Sequence, residues 1–169
     1  FREGEPLDFQ KVEETERNLR KLQFLTNIKI TYQTDSDSAD VFVHTQDLWT
    51  LSPSISASGG GGKNTFSFGV DDENFLGKGQ TVALYYSQDN REFFKEEWGG
   101  LLYDPFLLPA RTGLLASLNK LSYGYAHFLR LNRPLYSLAT PWSFRLELSN
   151  FKDRASFYQE GQEVIRNKL

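Results

Sequence analysis

From Leu48 onward, run after run of residues alternates apolar and polar with a period of two, and this recurring pattern constrains the fold more than any other feature. Successive side chains of a strand point to opposite faces, so period two writes one apolar and one polar face. Trp142, Phe144, Leu146 and Leu148 alternate with Ser143, Arg145, Glu147 and Ser149. Phe66, Phe68 and Val70 alternate with Thr65, Ser67 and Gly69, and Val82, Leu84 and Tyr86 with Thr81, Ala83 and Tyr85. Breakers at Gly59 to Gly62, Asn74 to Gly79, Gln88 to Arg91, Asp104 to Ala110, Asn119 to Gly124, Asn132 to Pro141 and Asn150 to Arg154 separate eight such runs. Each run is close to the ~9–11 residues with which a tilted strand crosses a bilayer. The chain is therefore expected to be mainly β.

Two settings produce this pattern. In a soluble sandwich the apolar face looks into a core; in a membrane barrel it looks out at lipid and the polar face lines the lumen. Aromatic residues make up 15% of the chain, and Trp49, Tyr103, Tyr136 and Trp142 stand near strand ends, as in an interfacial girdle. Arg145 and Glu147 lie mid-strand, where a dry core accommodates charge poorly and a wet lumen does so readily. The balance favours the barrel. A mean hydropathy of -0.50 with no long apolar run excludes a helical span.

The first 47 residues read differently. They carry ten acidic and six basic residues against twelve and thirteen in the remainder, so net charge moves from -4 to +1 near Asp47. Asp8 is a good N-cap, and Val12, Thr15, Leu19 and Leu22 share one face of a helix expected over Asp8 to Leu22. Glu13 with Arg17 and Glu16 with Arg20 are acid-first pairs that suit its solvated side. Asn27 to Thr34 and Ala39 to Gln46 read as a hairpin around Asp35-Ser36-Asp37-Ser38. One helix on one hairpin buries little, so preceding residues are expected to complete this unit.

The motifs of covalent chemistry fail on inspection. Gly60-Gly61-Gly62-Lys63 lacks the first glycine of a phosphate loop, at Ala57, and has Asn64 where Ser or Thr is required. Gly77-Lys78-Gly79 has Val82 in place of the third glycine of a dinucleotide fingerprint. Asp35 and Asp37 begin like a calcium loop that Asp40 and Gln46 then contradict. His44 and His127 have no second ligand at metal spacing, and no serine elbow occurs. Glu92, Glu96 and Glu97 could pair as carboxylates, but a lumen-facing charged row accounts for them as well. Cysteine is absent. No catalytic, cofactor or metal residue is assigned, no cofactor is expected, and the protein is expected not to be an enzyme. A net charge of -3 without a basic block argues against nucleic acid as a partner.

Read in order, several stretches resemble the outer-membrane assembly and surface-antigen superfamily, the BamA- and TamA-like proteins. Glu14-Thr15-Glu16-Arg17-Asn18-Leu19-Arg20-Lys21-Leu22 and the strand Asn27-Ile28-Lys29-Ile30 resemble the second helix and following strand of a POTRA domain. Val43 to Trp49 resembles its last strand running into the barrel. Glu73 to Gln80, Tyr103-Asp104-Pro105-Phe106 and Leu131 to Trp142 resemble three turns of the barrel's periplasmic side.

The resemblance implies a partial POTRA domain over 1–47, in the periplasm, and the N-terminal half of a β-barrel over 48–169, in the outer membrane. The first POTRA strand and helix, the later barrel half with its Arg-Gly-Phe loop, and any start codon or signal peptide are expected to lie outside this sequence. Implied partners are outer-membrane lipid, unfolded outer-membrane or secreted proteins, and periplasmic accessory proteins. The implied activity is insertion or export by strand templating, with a gate strand at Thr50 to Ser58 and a POTRA edge in Asn27 to Thr34 or Ala39 to Gln46. Two alternatives stay open. One is a barrel that anchors an upstream patatin-like lipase domain, and the other is a soluble β-rich binding protein. An open sheet with exposed apolar surface, or an intermolecular pairing that hides it, is expected.

Overall fold

Alternation becomes strands almost wherever the sequence carries it. A computed structural model describes residues 4–36, 38–60, 63–89, 95–109, 111–137, 140–159 and 162–167. Among these residues one helix and eleven strands form three antiparallel sheets of two, two and seven strands. The chain divides into two units, Phe1–Thr50 with Leu135–Pro141, and Leu51–Pro134 with Trp142–Leu169.

The first unit holds helix α1 (Phe9–Leu19) and the hairpin of β1 (Leu25–Asp35) and β2 (Ser38–Asp47). The Asp8 carboxylate caps the helix, accepting from the Gln10 and Lys11 amides at 3.0 and 3.4 Å. Val12 is buried, and the Phe9 ring meets Tyr32 of β1 at 5.3 Å between centroids. Leu19 is half-buried, and Leu22 lies beyond the helix, which ends three residues sooner than its sequence suggests. The reason is the reversal into β1. Leu22 N donates to Leu19 O at 2.9 Å and Leu25 N to Leu22 O at 3.2 Å, so tight i to i+3 bonds replace the helical ladder. Of the expected ion pairs Glu16–Arg20 forms, whereas Arg17 turns to Glu14 at 3.7 Å instead of Glu13. The hairpin carries a bulge between Thr26 and Lys29, with Asn27 at φ +52°, and pairs Ile30 with Val43 and Tyr32 with Val41. In the same unit the Asn18 amide donates to the Tyr136 carbonyl at 3.1 Å.

The second unit is built on a seven-stranded sheet in chain order: β3 (Leu51–Gly60), β4 (Lys63–Phe75), β5 (Gln80–Asp89), β6 (Lys95–Leu108), β7 (Thr112–Leu121), β8 (Gly124–Arg133) and β9 (Phe144–Lys152). Seven of the eight expected runs correspond to these strands. The eighth instead divides into β10 (Arg154–Gln159) and β11 (Gln162–Asn167), which pair with each other as a separate hairpin. Folding back satisfies their backbone groups locally, without the β9 edge.

Other boundaries differ from the sequence reading as well: β7 runs on through Asn119 to Leu121 and β9 through Asn150 to Lys152, both expected as breakers. β6 runs through the expected breaker at Asp104 to Leu108, because a bulge between those residues absorbs Pro105. β9 begins at Phe144, so Trp142 and Ser143 precede it. Among the described residues the sheet is open. Its edges are β3 and β9, and since every neighbour is antiparallel these two run in the same direction.

Candidate functional site

Directly opposed residues of an antiparallel ladder share a face, so the register assigns both surfaces of the large sheet. Val70, Leu84, Gly100 and Leu118 form one cross-strand row; Val82, Leu102, Ala116, Leu129 and Leu148 form the next; Leu114, Leu131 and Leu146 follow. This apolar face is uncovered. Ile55 is 72% exposed, Leu118 62%, Leu148 60% and Leu84 57%. Monomeric soluble proteins rarely leave a continuous apolar surface of this extent open to water.

The opposite face is mixed, with Leu101, Leu115, Phe128 and Phe151 among its polar residues. It carries Ser52, Ser54, Ser56 and Ser58 from β3, with the Ser56 and Ser67 hydroxyls 3.0 Å apart. Across the outer strands Arg130 Nε donates to Glu147 at 2.7 Å, and Arg145 Nε lies 3.8 Å from the same carboxylate. In the middle, Tyr85 of β5 reaches across Gly99 of β6, and its hydroxyl donates to the Asn119 amide oxygen of β7 at 3.3 Å. A Cβ at Gly99 would lie 2.8 Å from the Tyr85 ring and would collide with the Asn119 amide. The glycine is therefore what lets a tyrosine bridge three strands.

The apolar surface is a band, and the band is oblique. Phe68, the centre of the β4 triplet Phe66-Phe68-Val70, is level with Tyr86, Trp98, Lys120, Tyr125 and finally Lys152 on β9. The centre of the β9 triplet Phe144-Leu146-Leu148 is Leu146, six residues further along the strand. At ~3.3 Å per residue and ~4.8 Å per strand, a climb of about 20 Å over about 24 Å puts the strands about 40° from the band's normal. Strands of transmembrane barrels tilt by ~35–45° from the same direction.

Three turns lie at one end of the sheet, between β4 and β5, β6 and β7, and β8 and β9. In the first, Gly79 N donates to the Asn74 side chain at 2.7 Å, and Leu76, Gly77 and Gly79 adopt φ of +54°, +72° and +66°. In the second, buried Asp104 accepts from Phe106 N at 2.8 Å and from the Gln80 amide at 2.6 Å. The Gln80–Asp104 bond joins two stretches singled out in the sequence. In the third, the Arg133 guanidinium lies 3.7 Å over the Trp142 ring, which stacks on Phe144.

The carboxylates and histidines named in the sequence do not converge. Glu92 lies outside the described residues. Glu96 and Glu97 occupy opposite faces of β6, so Glu96 stands at the rim of the apolar face, opposite Gln88, and the two carboxylates do not share a row. The Tyr86 hydroxyl donates to Glu96 at 3.3 Å, and Glu97 accepts from Ser122 N and Oγ at 3.2 and 2.9 Å. His44 is exposed on β2 beside Thr31 at 3.4 Å, and His127 stacks on Tyr125 at 4.8 Å. Among the described residues no three His, Cys, Asp or Glu are grouped as a metal site requires. The aromatics named in the sequence do not line up either: Tyr103 falls on the second face, opposite Thr81 and Leu115, while Trp49 and Tyr136 belong to the first unit. Sequence reasoning missed the Tyr85-Gly99-Asn119 bridge, since nothing local links positions on three strands.

Among the described residues these features define an antiparallel sheet with one uncovered, largely apolar face, one more polar face and two unpaired edges. No protein-family model and no curated protein matches the chain. Among the described residues no helix is long and apolar enough to cross a membrane, which leaves strands out of account.

Proposed function

We propose that this chain contributes the opening strands of an outer-membrane β-barrel of the assembly and translocation type, with the α1 and β1–β2 unit as part of a periplasmic POTRA domain. The observation that carries the reading is the exposed apolar band of the seven-stranded sheet, whose obliquity matches the tilt of membrane strands. In this reading the apolar face meets lipid. The polar face, with its serines and the Arg130–Glu147–Arg145 cluster, lines the lumen.

The mechanism involves no covalent step. β3 is an edge strand rich in serine, with Pro53 and two terminal glycines, and among the described residues it pairs with β4 alone. Such an edge offers a row of backbone donors and acceptors to an incoming strand, and its small side chains hold a permanent partner weakly. β9 cannot serve as that partner in the antiparallel sense, because it runs in the same direction as β3. The strand templated on β3 must run the other way, as β4 does.

Crosslinking tests this. A single cysteine at Ser56, in the protein embedded in phospholipid vesicles, is oxidised against a cysteine series in the last strand of an unfolded outer-membrane substrate. Adducts that move through the series in antiparallel register are expected. Membrane insertion without adducts would replace templating by an anchoring role for an upstream domain. Failure to insert would return the protein to the soluble β-rich class.

A further inference from the structure

Arg133 stands at one end of the apolar face, opposite Phe144, and two further basic residues share one row at the other end. Lys120 of β7 and Lys152 of β9 are both directly opposite Tyr125 of β8, so one cross-strand row reads Trp98, Lys120, Tyr125, Lys152. His127, stacked on Tyr125, lies one row closer to the middle of the sheet, opposite Leu118 and Asn150. Both lysines and the histidine are exposed, and among the described residues neither lysine forms an ion pair. The nearest acid on this face, Glu96, sits beyond Trp98 and is engaged by the Tyr86 hydroxyl at 3.3 Å. Two cations about one strand either side of a tyrosine make a local positive site that one anion between them can contact on both sides.

What lies beside them decides the kind of anion. Leu118, Leu129 and Leu148 continue the same face from the basic row into the apolar band, and Leu118 and Leu148 are among its most exposed residues. A ligand that satisfies both features has an anionic head and an apolar tail running along the strands. We propose that Lys120 and Lys152 clamp the head of a phospholipid of net negative charge over Tyr125, with its acyl chain laid on Leu118, Leu129 and Leu148. The clamp stands at the end of the sheet where β3–β4, β5–β6 and β7–β8 turn, opposite the Asn74 and Asp104 turns. The inference rests on the reading of this face as lipid-facing, and it adds a lipid class and a position.

Trp98, directly opposite Lys120, is a built-in reporter. The full chain with Trp49→Phe and Trp142→Phe is inserted into phosphatidylcholine vesicles containing a minor fraction of brominated lipid. Brominated phosphatidic acid is compared with brominated phosphatidylcholine at equal mole fraction. Preferential quenching by the phosphatidic acid is expected, corresponding to a local enrichment on the order of tenfold. In the Lys120→Gln, Lys152→Gln double variant the preference should vanish, while quenching by brominated phosphatidylcholine stays as before. Equal quenching by both lipids in the parent would overturn the clamp and leave the membrane reading standing. No quenching by either lipid would overturn both.

Discussion

At Leu146 the two readings of the large sheet make opposite demands on one side chain. It lies near the middle of the apolar band, 55% exposed, and level with Leu131 and Leu114. An arginine there should cost ~2–4 kcal/mol in a bilayer, while Ser149→Arg, on the polar face of the same strand, should cost far less. Urea titration of the two variants in phospholipid vesicles measures the difference, and equal costs would sink the lipid-facing assignment. Gly99 makes a second demand, because Tyr85 bridges to Asn119 across it. Gly99→Ala should destabilise by about 1–3 kcal/mol through overpacking, and a Tyr85→Ser background should return part of that loss. Strict additivity of the two changes would mean that the ring does not depend on the glycine.

The elements were largely legible in the sequence, and the reasons differ from one to the next. Strands β4, β5 and β9 were readable because large apolar residues alternate with small or polar ones. β6 was readable as a strand but not by face, since Gly99-Gly100-Leu101-Leu102-Tyr103 carries no period of two. The parity of Tyr103 and Glu96 is set by pairing with β5 and β7, which no local pattern records. The Asp104 bulge was hidden for a related reason: its hydrogen bond to Gln80 joins residues 24 apart in sequence. Helix α1 was legible at its start, where Asp8 caps it, and misread at its end, where the reversal into β1 is decided by tertiary context. The α1 packing gives its own test. Asp8→Ala should cost about 1 kcal/mol through loss of the cap, and Val12→Ala a similar amount through the buried methyl groups. Leu19→Ala, at a half-buried position, should cost no more than Val12→Ala; thermal unfolding of the three variants ranks them, and Leu19 dominating would mean that the helix packs on a different face.

For the whole molecule, the question is what covers the apolar face of the seven-stranded sheet. A sandwich would need a second apolar layer over Phe68, Leu84, Leu118 and Leu148, and the described residues supply none to that face. A bilayer covers it without further protein, provided that the edges at β3 and β9 find partners. The most direct measurement uses the absence of native cysteine. Single cysteines from Phe144 to Ser149 are spin-labelled in the full chain in phospholipid vesicles. Collision rates are then read with oxygen, which partitions into lipid, and with a water-soluble nickel chelate. The account predicts strict alternation: 144, 146 and 148 favour oxygen, and 145, 147 and 149 favour the chelate. Positions 144, 146 and 148 shielded from both reagents would place that face in a dry protein core and contradict the membrane account.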